Sequence, residues 1–388
     1  ARSIITPDPT LDFDEIGLPE VAAWDLYKPF IIHRLTTQWM MKPLDAKLEV
    51  EKRSATARRA LELVIRERPV IVKRDPVLHQ YGVMAFNPRL TQDKTISIHP
   101  LATTPFNADF DGDKMGVFLP ITTEAVEEAR DMLPSRHLFN QATGRLNFRP
   151  EHEMTLGLHM LSTPGKATGK KFATLDELRF AYKGGKAGIT DIVHVGPRET
   201  TLGRELISSL LPPPYRDSTA ASRATGLTQK RLEELLGEIA RTHPGKYPEV
   251  ADSLKNLGND AAYRLGASFT LKDFAPAVRV ERGALYKKID QALAKMPRGP
   301  ARDEKLVSFY MQAQRALSAL QTTRMTENGN AVFRMVSSGA RAKPEQLFQI
   351  TNGPTLVTDG TGRIVPHAIK KSFSEGLDFS AWWIHLHG

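Results

Sequence analysis

Residues 106–115 read FNADFDGDKM, and this run places three aspartates, Asp109, Asp111 and Asp113, within five positions. Three carboxylates at that spacing repel one another unless a cation sits among them. Alternate residues of an extended segment point to one side, and Gly112 between the last two permits a turn. The three can therefore converge on one point. Phe110 and Met115 are apolar and interleaved with the acids, which an ordinary solvated acidic turn does not explain. A donor set of oxygen alone, with no nitrogen or sulfur, selects a hard divalent cation: Mg²⁺, Mn²⁺ or Ca²⁺.

The surrounding chain has 388 residues, more than a single core usually serves, so two or more lobes are expected. It has no cysteine, which excludes disulfides and thiolate zinc sites. A formal net charge of +9 suits a polyanionic partner. No run of about 18 apolar residues suggests a membrane span, and the opening ARSIITPDPT lacks the apolar core of a signal peptide. A cytoplasmic location is expected, in a host cell or a virion if the chain is phage-encoded.

The patterning predicts a first helix over 19–35, kinked or ended by Pro29. A second is predicted from Leu44 to Arg68, with Leu48, Ala55, Leu61, Leu63, Val64 and Ile65 on its apolar face. PVIVKRDPVLHQYGVMAFNPRL and KTISIHPL are short β-rich runs broken by Pro and Gly, and they predict a compact barrel or irregular sheet. The aspartates follow at once, so they lie on a loop held by strands; GVFLPI then returns as a strand. A helix is predicted over Thr123–Leu133. GKATGKK reads as a basic flexible loop. Thr174 and Glu177 form a capping box for a short helix ending at Gly184. A further helix is expected over 228–241. Arg282–Met296 and Asp303–Leu320 read as an antiparallel helical hairpin turning at PRGP. Its plain reading is packing.

Three metal readings compete. A calcium loop of the EF-hand type, counted from Asp109, needs Gly at its sixth position and Glu at its twelfth. Lys114 and Pro120 stand there, so that reading fails. DFDG is similar to the D-x-D-G run of Mg²⁺ phosphohydrolases of the haloacid dehalogenase type, but Asp113 stands where Thr or Val belongs and TTPFNA precedes it instead of an apolar strand. EHEMT approaches a zinc-protease helix motif, but Leu156 occupies the second histidine's place. The third reading is a nucleotide-polymerising site. NADFDGDKM closely resembles the N-A-D-F-D-G-D-Q-M signature of the largest, β′, subunit of multisubunit DNA-dependent RNA polymerases. ERPVIVKRDPVLHQYGVMAFNPRL, IHPL, AYRLGASFTLKDF, MVSSGARAKPEQLFQITNGP and SFSEGLDFSAWWIHLHG resemble further stretches of that family, in the family's order.

The resemblance implies an α+β fold: a double-psi β-barrel catalytic domain over 1–165, a mostly helical pore and funnel region over 166–330, and an F-loop with the first half of a bridge helix over 331–388. It implies Mg²⁺-dependent transfer of ribonucleotides to an RNA 3′ end, within a complex. One ion is held by Asp109, Asp111 and Asp113, and a second arrives with the nucleotide. By the same resemblance Arg74 and Asn107 meet the ribose of the incoming nucleotide, and Arg2 lies near the template strand and hybrid. For Arg74 the plain alternative is a surface ion pair with Asp75. His79 matches a family histidine but receives no chemical role. The implied partners are a β-like subunit with a second barrel, the remaining β′ segments including clamp and trigger loop, α, ω or sigma-like factors, DNA, RNA and nucleoside triphosphates. Lys114 in place of Gln, Asp75 in place of Ala and divergence after Ala342 point to a distant member, phage-encoded, split or partial. The alternatives from other classes are the phosphohydrolase and an inactive assembly module.

Overall fold

The computed structural model describes residues 1–216 and 226–386. The chain opens with β1 (Arg2–Pro7), β2 (Glu15–Pro19) and three helices, α1 (Glu20–Thr37), α2 (Pro43–Glu51) and α3 (Ala55–Glu67). Strands β3 (Val70–Arg74), β4 (Val83–Thr91) and β5 (Ile96–Ile98) follow, then the short α4 (Thr103–Phe106), β6 (Lys114–Phe118) and α5 (Thr123–Asp131). Beyond these come α6 (Glu153–Ser162), β7 (Ala167–Phe172), α7 (Leu175–Lys183), β8 (Ile192–Val195), β9 (Arg198–Thr200) and α8 (Leu202–Ser209). The rest is helical: α9 (Gln229–Thr242), α10 (Tyr247–Leu265), α11 (Arg279–Ala294), α12 (Pro300–Glu327), α13 (Ala331–Ser337), α14 (Pro344–Asn352) and α15 (Phe379–Leu386). Among the described residues no helix is long and apolar enough to cross a membrane.

The backbone gathers into two compact units. Of the described residues, the first comprises 1–150, 208–216 and 231–256, and the second comprises 151–207, 226–230 and 257–386.

In the first unit the six strands close into a barrel in the order β1-β5-β2-β4-β3-β6. Two pairs are parallel, β1 with β5 and β2 with β4, and the other pairs are antiparallel. This is a double-psi barrel, as the sequence implies. Period-two alternation fills it. Val70 and Val72 of β3, Met84 and Phe86 of β4, and Met115 and Val117 of β6 are each at most 1% exposed, while Lys73 and Lys114 of the same strands point outward. Closure leaves the barrel without a free sheet edge.

One helix expectation is narrowed and one is corrected. Helix α1 runs through Pro29 to Thr37, so the expected range of 19–35 holds and, of the two effects expected of that proline, an end is excluded. Pro29 is itself exposed, as is Asp25, the residue whose carbonyl its missing N–H would have met, and buried Tyr27, Ile31 and Leu35 hold the helix down. The single helix expected over 44–68 is two, because Arg53 is left-handed (φ 47°) and the Ser54 hydroxyl accepts from the Ala57 N–H at 3.1 Å, capping α3. Leu48 and Leu63, expected on the apolar face, are exposed, whereas Leu61, Val64 and Ile65 are buried.

In the second unit α6 is buried all round from Thr155 to Ser162. The hairpin of α11 and α12 packs Tyr286, Ile289 and Leu293 with Leu306, Tyr310, Ala313 and Leu317. GKATGKK is not a loop throughout: from Ala167 it is β7, paired parallel with β8 in a three-stranded sheet, with an irregularity in register between Ala167 and Lys171. Helix α7 begins at Thr174, whose hydroxyl accepts from the Glu177 N–H at 3.3 Å; the Glu177 carboxylate accepts from the Ala173 N–H at 2.8 Å. Of the SFSEGLDFSAWWIHLHG stretch, Phe379–Leu386 is helical, and residues 387–388 lie outside the described residues.

Candidate metal centre

The aspartate loop runs between two anchored ends. Ahead of it α4 closes at Asn107, which is left-handed (φ 47°, ψ 44°), a conformation asparagine tolerates better than most residues. Behind it β6 pairs with β1 on one side and β3 on the other, and the Ile5 N–H donates to the Asp113 carbonyl at 3.0 Å. Gly112 takes φ 130°, a backbone angle that side-chain-bearing residues rarely adopt.

This geometry brings Asp109, Asp111 and Asp113 together, with one carboxylate oxygen of each within 4.8 Å of the others. Among the described residues no other group of three or more acidic or histidine side chains converges this way. Asp109 and Asp111 are exposed and Asp113 is half-buried. The loop follows a helical turn, not the end of a strand, which departs from what the phosphohydrolase reading asks for.

The electrostatics of the three differ. A hydrogen bond with Asp109 and the charges of Asp109 and Asp113 raise the Asp111 carboxyl above its ordinary value. Asp113 is held below its ordinary value, first by the Arg74 side chain and also by the Asp109 N–H, against partial burial. Arg74 Nε donates to Asp113 Oδ2 at 2.8 Å, and the Asp109 N–H reaches the same oxygen at 3.2 Å. The donor chemistry fits a hard divalent cation: three carboxylates share one point, and their mutual repulsion, visible at Asp111, is what such an ion relieves.

Arg74 is therefore not paired with Asp75. Lys73 takes Asp75 at 2.9 Å, and Arg74 turns to the aspartate loop. Sequence reading missed this contact, because the partners lie 39 positions apart and meet only when β3 and β6 pair with Arg74 opposite Met115. Arg2 lies across β6 from β3: Arg2 and Lys73 both register on Gly116. Arg2, Asn107 and His79 are all exposed.

A family model described as RNA polymerase Rpb1, domain 2, matches residues 41–134, which include the aspartate loop and Arg74. Over its full length the chain is 32% identical to the DNA-directed RNA polymerase subunit beta′ of Bacteroides thetaiotaomicron, covering 29% of that protein. It is 33% identical to the subunit of the same name from Streptomyces avermitilis, covering 33% of it, and 33% identical to that of Cutibacterium acnes, covering 32%. The chain thus spans about a third of the length of the curated relatives it matches.

Proposed function

We propose that this chain, which belongs to the family of DNA-directed RNA polymerase β′ subunits, carries the metal-binding part of a nucleotidyl-transfer site completed by other polypeptides. The reaction is attack of an RNA 3′-hydroxyl on the α-phosphate of a ribonucleoside triphosphate, with loss of pyrophosphate. The observation that carries this reading is the convergence of Asp109, Asp111 and Asp113 within 4.8 Å on a loop clamped by a closed barrel. These residues would hold Mg²⁺, with a second ion brought by the nucleotide. When bound, the pair supplies Lewis-acid activation of the attacking hydroxyl and neutralises the leaving triphosphate charge.

The chain's own residues do the positioning. Arg74 is bound to Asp113 through Nε, so its two Nη groups can donate to a substrate hydroxyl. In this proposal it reads the ribose together with Asn107, since a 2′-hydroxyl both donates and accepts. Arg2, across the barrel wall, contributes positive charge toward nucleic acid. The net charge of +9 favours DNA and RNA in general. We assign residues 1–165 to catalysis, 166–330 to the pore and funnel, and 331–388 to an F-loop and the beginning of a bridge helix. A β-like subunit, further β′ segments with clamp and trigger loop, and α, ω or sigma-like factors complete the assembly, in the cytoplasm of a cell or phage-infected host.

The test is reconstitution with a β-like subunit and further β′ segments, followed by primer extension. Asp111→Ala should abolish Mg²⁺-dependent, templated RNA synthesis while the complex still assembles, because two ligands are left where three are needed. Wild-type extension rates in the assembled variant would remove the assignment. A second measurement is sugar choice. Arg74→Ala and Asn107→Ala should each narrow the preference for ribonucleotides by about 1–3 kcal/mol, the cost of a lost polar contact. Unchanged discrimination ratios in both would show that neither residue reads the ribose.

A further inference from the structure

The two ends of the aspartate loop are held by different means. After Asp113 the backbone enters the barrel ladder of β6. Before the loop, β5 ends at Ile98, and the next residues are bonded to one another in short turns. The Ala102 N–H donates to the His99 carbonyl at 2.9 Å, and the Ala108 N–H donates to the Thr103 carbonyl at 3.0 Å. Turns of this kind fix local shape but not position.

Packing helps to hold the segment, since Leu101, Ala102 and Phe106 are buried and the Phe106 ring stacks on Phe86 of β4, and a polar tether is added by His99, which is 1% exposed. Its Nδ1 accepts from the Leu101 N–H at 3.2 Å, so the ring proton sits on Nε2, which donates to Asp252 Oδ1 at 2.7 Å. The same oxygen takes Lys255 Nζ at 2.5 Å. Lys255 is fully buried, and its Nζ lies 3.3 Å from the Pro9 carbonyl oxygen. The other Asp252 oxygen accepts from Asn256 Nδ2 at 3.0 Å. Asp252 and Lys255 stand on α10, and Asp252 is 153 positions along the chain from His99.

A wholly buried ammonium is rare and needs a carboxylate in fixed geometry. Filling space alone would be served by an apolar side chain. Here the buried cation holds one carboxylate oxygen in place, and that oxygen holds the imidazole at the start of the segment leading to the aspartates. Burial works to raise the Asp252 carboxyl, and the bonds from His99 and Lys255 outweigh it and keep the group below its ordinary value.

We infer that Asp252 and Lys255 are positioning residues for the metal-binding loop, acting through His99 as its front tether. The inference rests on the proposed metal role of the three aspartates. Two substitutions separate the tether from the local turn. His99→Asn keeps an acceptor for the Leu101 N–H but cannot reach Asp252. His99→Gln keeps a donor near the place of Nε2 but gives up the turn. In the full chain, amide hydrogen exchange over residues 101–113 reads the tether without any metal. Mn²⁺ titration followed by EPR, with Asp111→Ala as the blank, reads the site.

His99→Asn should speed exchange across the loop and weaken Mn²⁺ binding by up to about 10-fold, the lower end of the scale for losing a group bonded to a metal ligand itself, since His99 acts through the intervening chain. His99→Gln should stay close to the parent in both. Parent-like exchange and affinity in His99→Asn would overturn the inference. So would faster exchange with unchanged affinity, which would confine His99 to the turn, or equal losses in both variants, which would mean general packing. If the parent chain binds Mn²⁺ no better than Asp111→Ala, the metal reading itself has failed, and this inference fails with it.

Discussion

Two glycines that look alike in the sequence serve opposite ends in the structure. Gly112, in the aspartate loop, has open space where a Cβ would stand and a φ of 130°. Gly157, in the middle of α6, has ordinary helical backbone and no space: a Cβ there would lie 1.8 Å from the Gly258 carbonyl oxygen of α10. The first is needed for a backbone angle and the second for a backbone contact. The charged groups around them divide the same way. Arg74 reaches Asp113 beside an exposed loop, whereas Arg282 of the second unit is 5% exposed and pinned by the Asn352 carbonyl and the Glu375 carboxylate. One region gathers charge and shape at little packing, as a site must. The other uses glycine and charge to hold helices together. Substitutions should therefore lower activity without stability in the first region, and stability in the second.

The largest expected effect breaks the buried pair. Arg282 Nη2 lies 2.5 Å from Glu375 Oε2, and its Nη1 donates to the Asn352 carbonyl at 2.9 Å. Arg282→Ala leaves a buried carbonyl without its donor and a shielded carboxylate that keeps Arg279, at 3.1 Å, and Ser372, and should cost about 3 kcal/mol in denaturant unfolding, the lower end of the range for breaking a buried pair. Burial tends to raise the Glu375 carboxyl, but the Ser372 and Arg282 bonds hold it below its ordinary value. A depressed carboxyl contributes stability above the ordinary glutamate range and loses it as pH falls through the lowered value. The acid limb of the stability curve should accordingly be shallower in Arg282→Ala. A loss below about 1 kcal/mol, as for a solvent-exposed pair, would erase the contrast with the first unit.

Next in size is Gly157→Ala. The added methyl meets backbone, which cannot swing aside as a side chain can, so α6 and α10 must separate. Overpacking of this kind costs about 1–3 kcal/mol, occasionally more. Gly258→Ala should behave similarly, because its Cβ would lie 2.1 Å from the Met154 carbonyl oxygen. The two substitutions press on one crossing from opposite sides, so their effects should not add. Melting of the single and double variants checks this, and additive losses would mean that the two contacts are independent.

What the sequence made legible follows the range of the interactions. The aspartate run, the β-rich run that holds Val70 and Val72, and the cap at Thr174 are local signals, and each appears in the structure at its predicted place. The barrel was legible as a class, but its strand order was not, because β1 pairs with β5 and β6 across long separations. Pro29 did not end its helix because its rule concerns one hydrogen bond, here on a turn where Asp25 and Pro29 itself are exposed. The break at Arg53 was hidden because Ser54 can sit in a helix or cap one. Of the candidate site, the three aspartates were visible and their supports were not. Arg74 against Asp113, and Lys255 beneath His99, join residues that no periodicity connects. IHPL drew notice as a resemblance, yet nothing in those four letters shows a buried lysine on a distant helix.

The smallest effect on stability belongs to Gly112→Ala, and it sharpens the comparison most. An alanine forced to φ 130° is strained, of order 1–3 kcal/mol if the backbone keeps its shape. The loop there is exposed and no atom lies within 4 Å of the new methyl, so the backbone can relax to an ordinary angle and stability should change by less than about 0.5 kcal/mol, as at an unconstrained surface position. That relaxation has its own consequence. Asp111 and Asp113 flank Gly112, and a change of its φ turns the two carboxylates away from their common point. Under the proposed function, Gly112→Ala should therefore melt with the parent yet need far more Mg²⁺ for RNA synthesis in the reconstituted complex. Arg74 would still hold Asp113, so the lost ligands should be Asp109 and Asp111 relative to it, and excess Mg²⁺ should restore only part of the rate. If Gly112→Ala keeps both the parent's melting temperature and its Mg²⁺ requirement, the loop does not need the glycine angle, and the division between a glycine for shape and a glycine for contact fails at its first member.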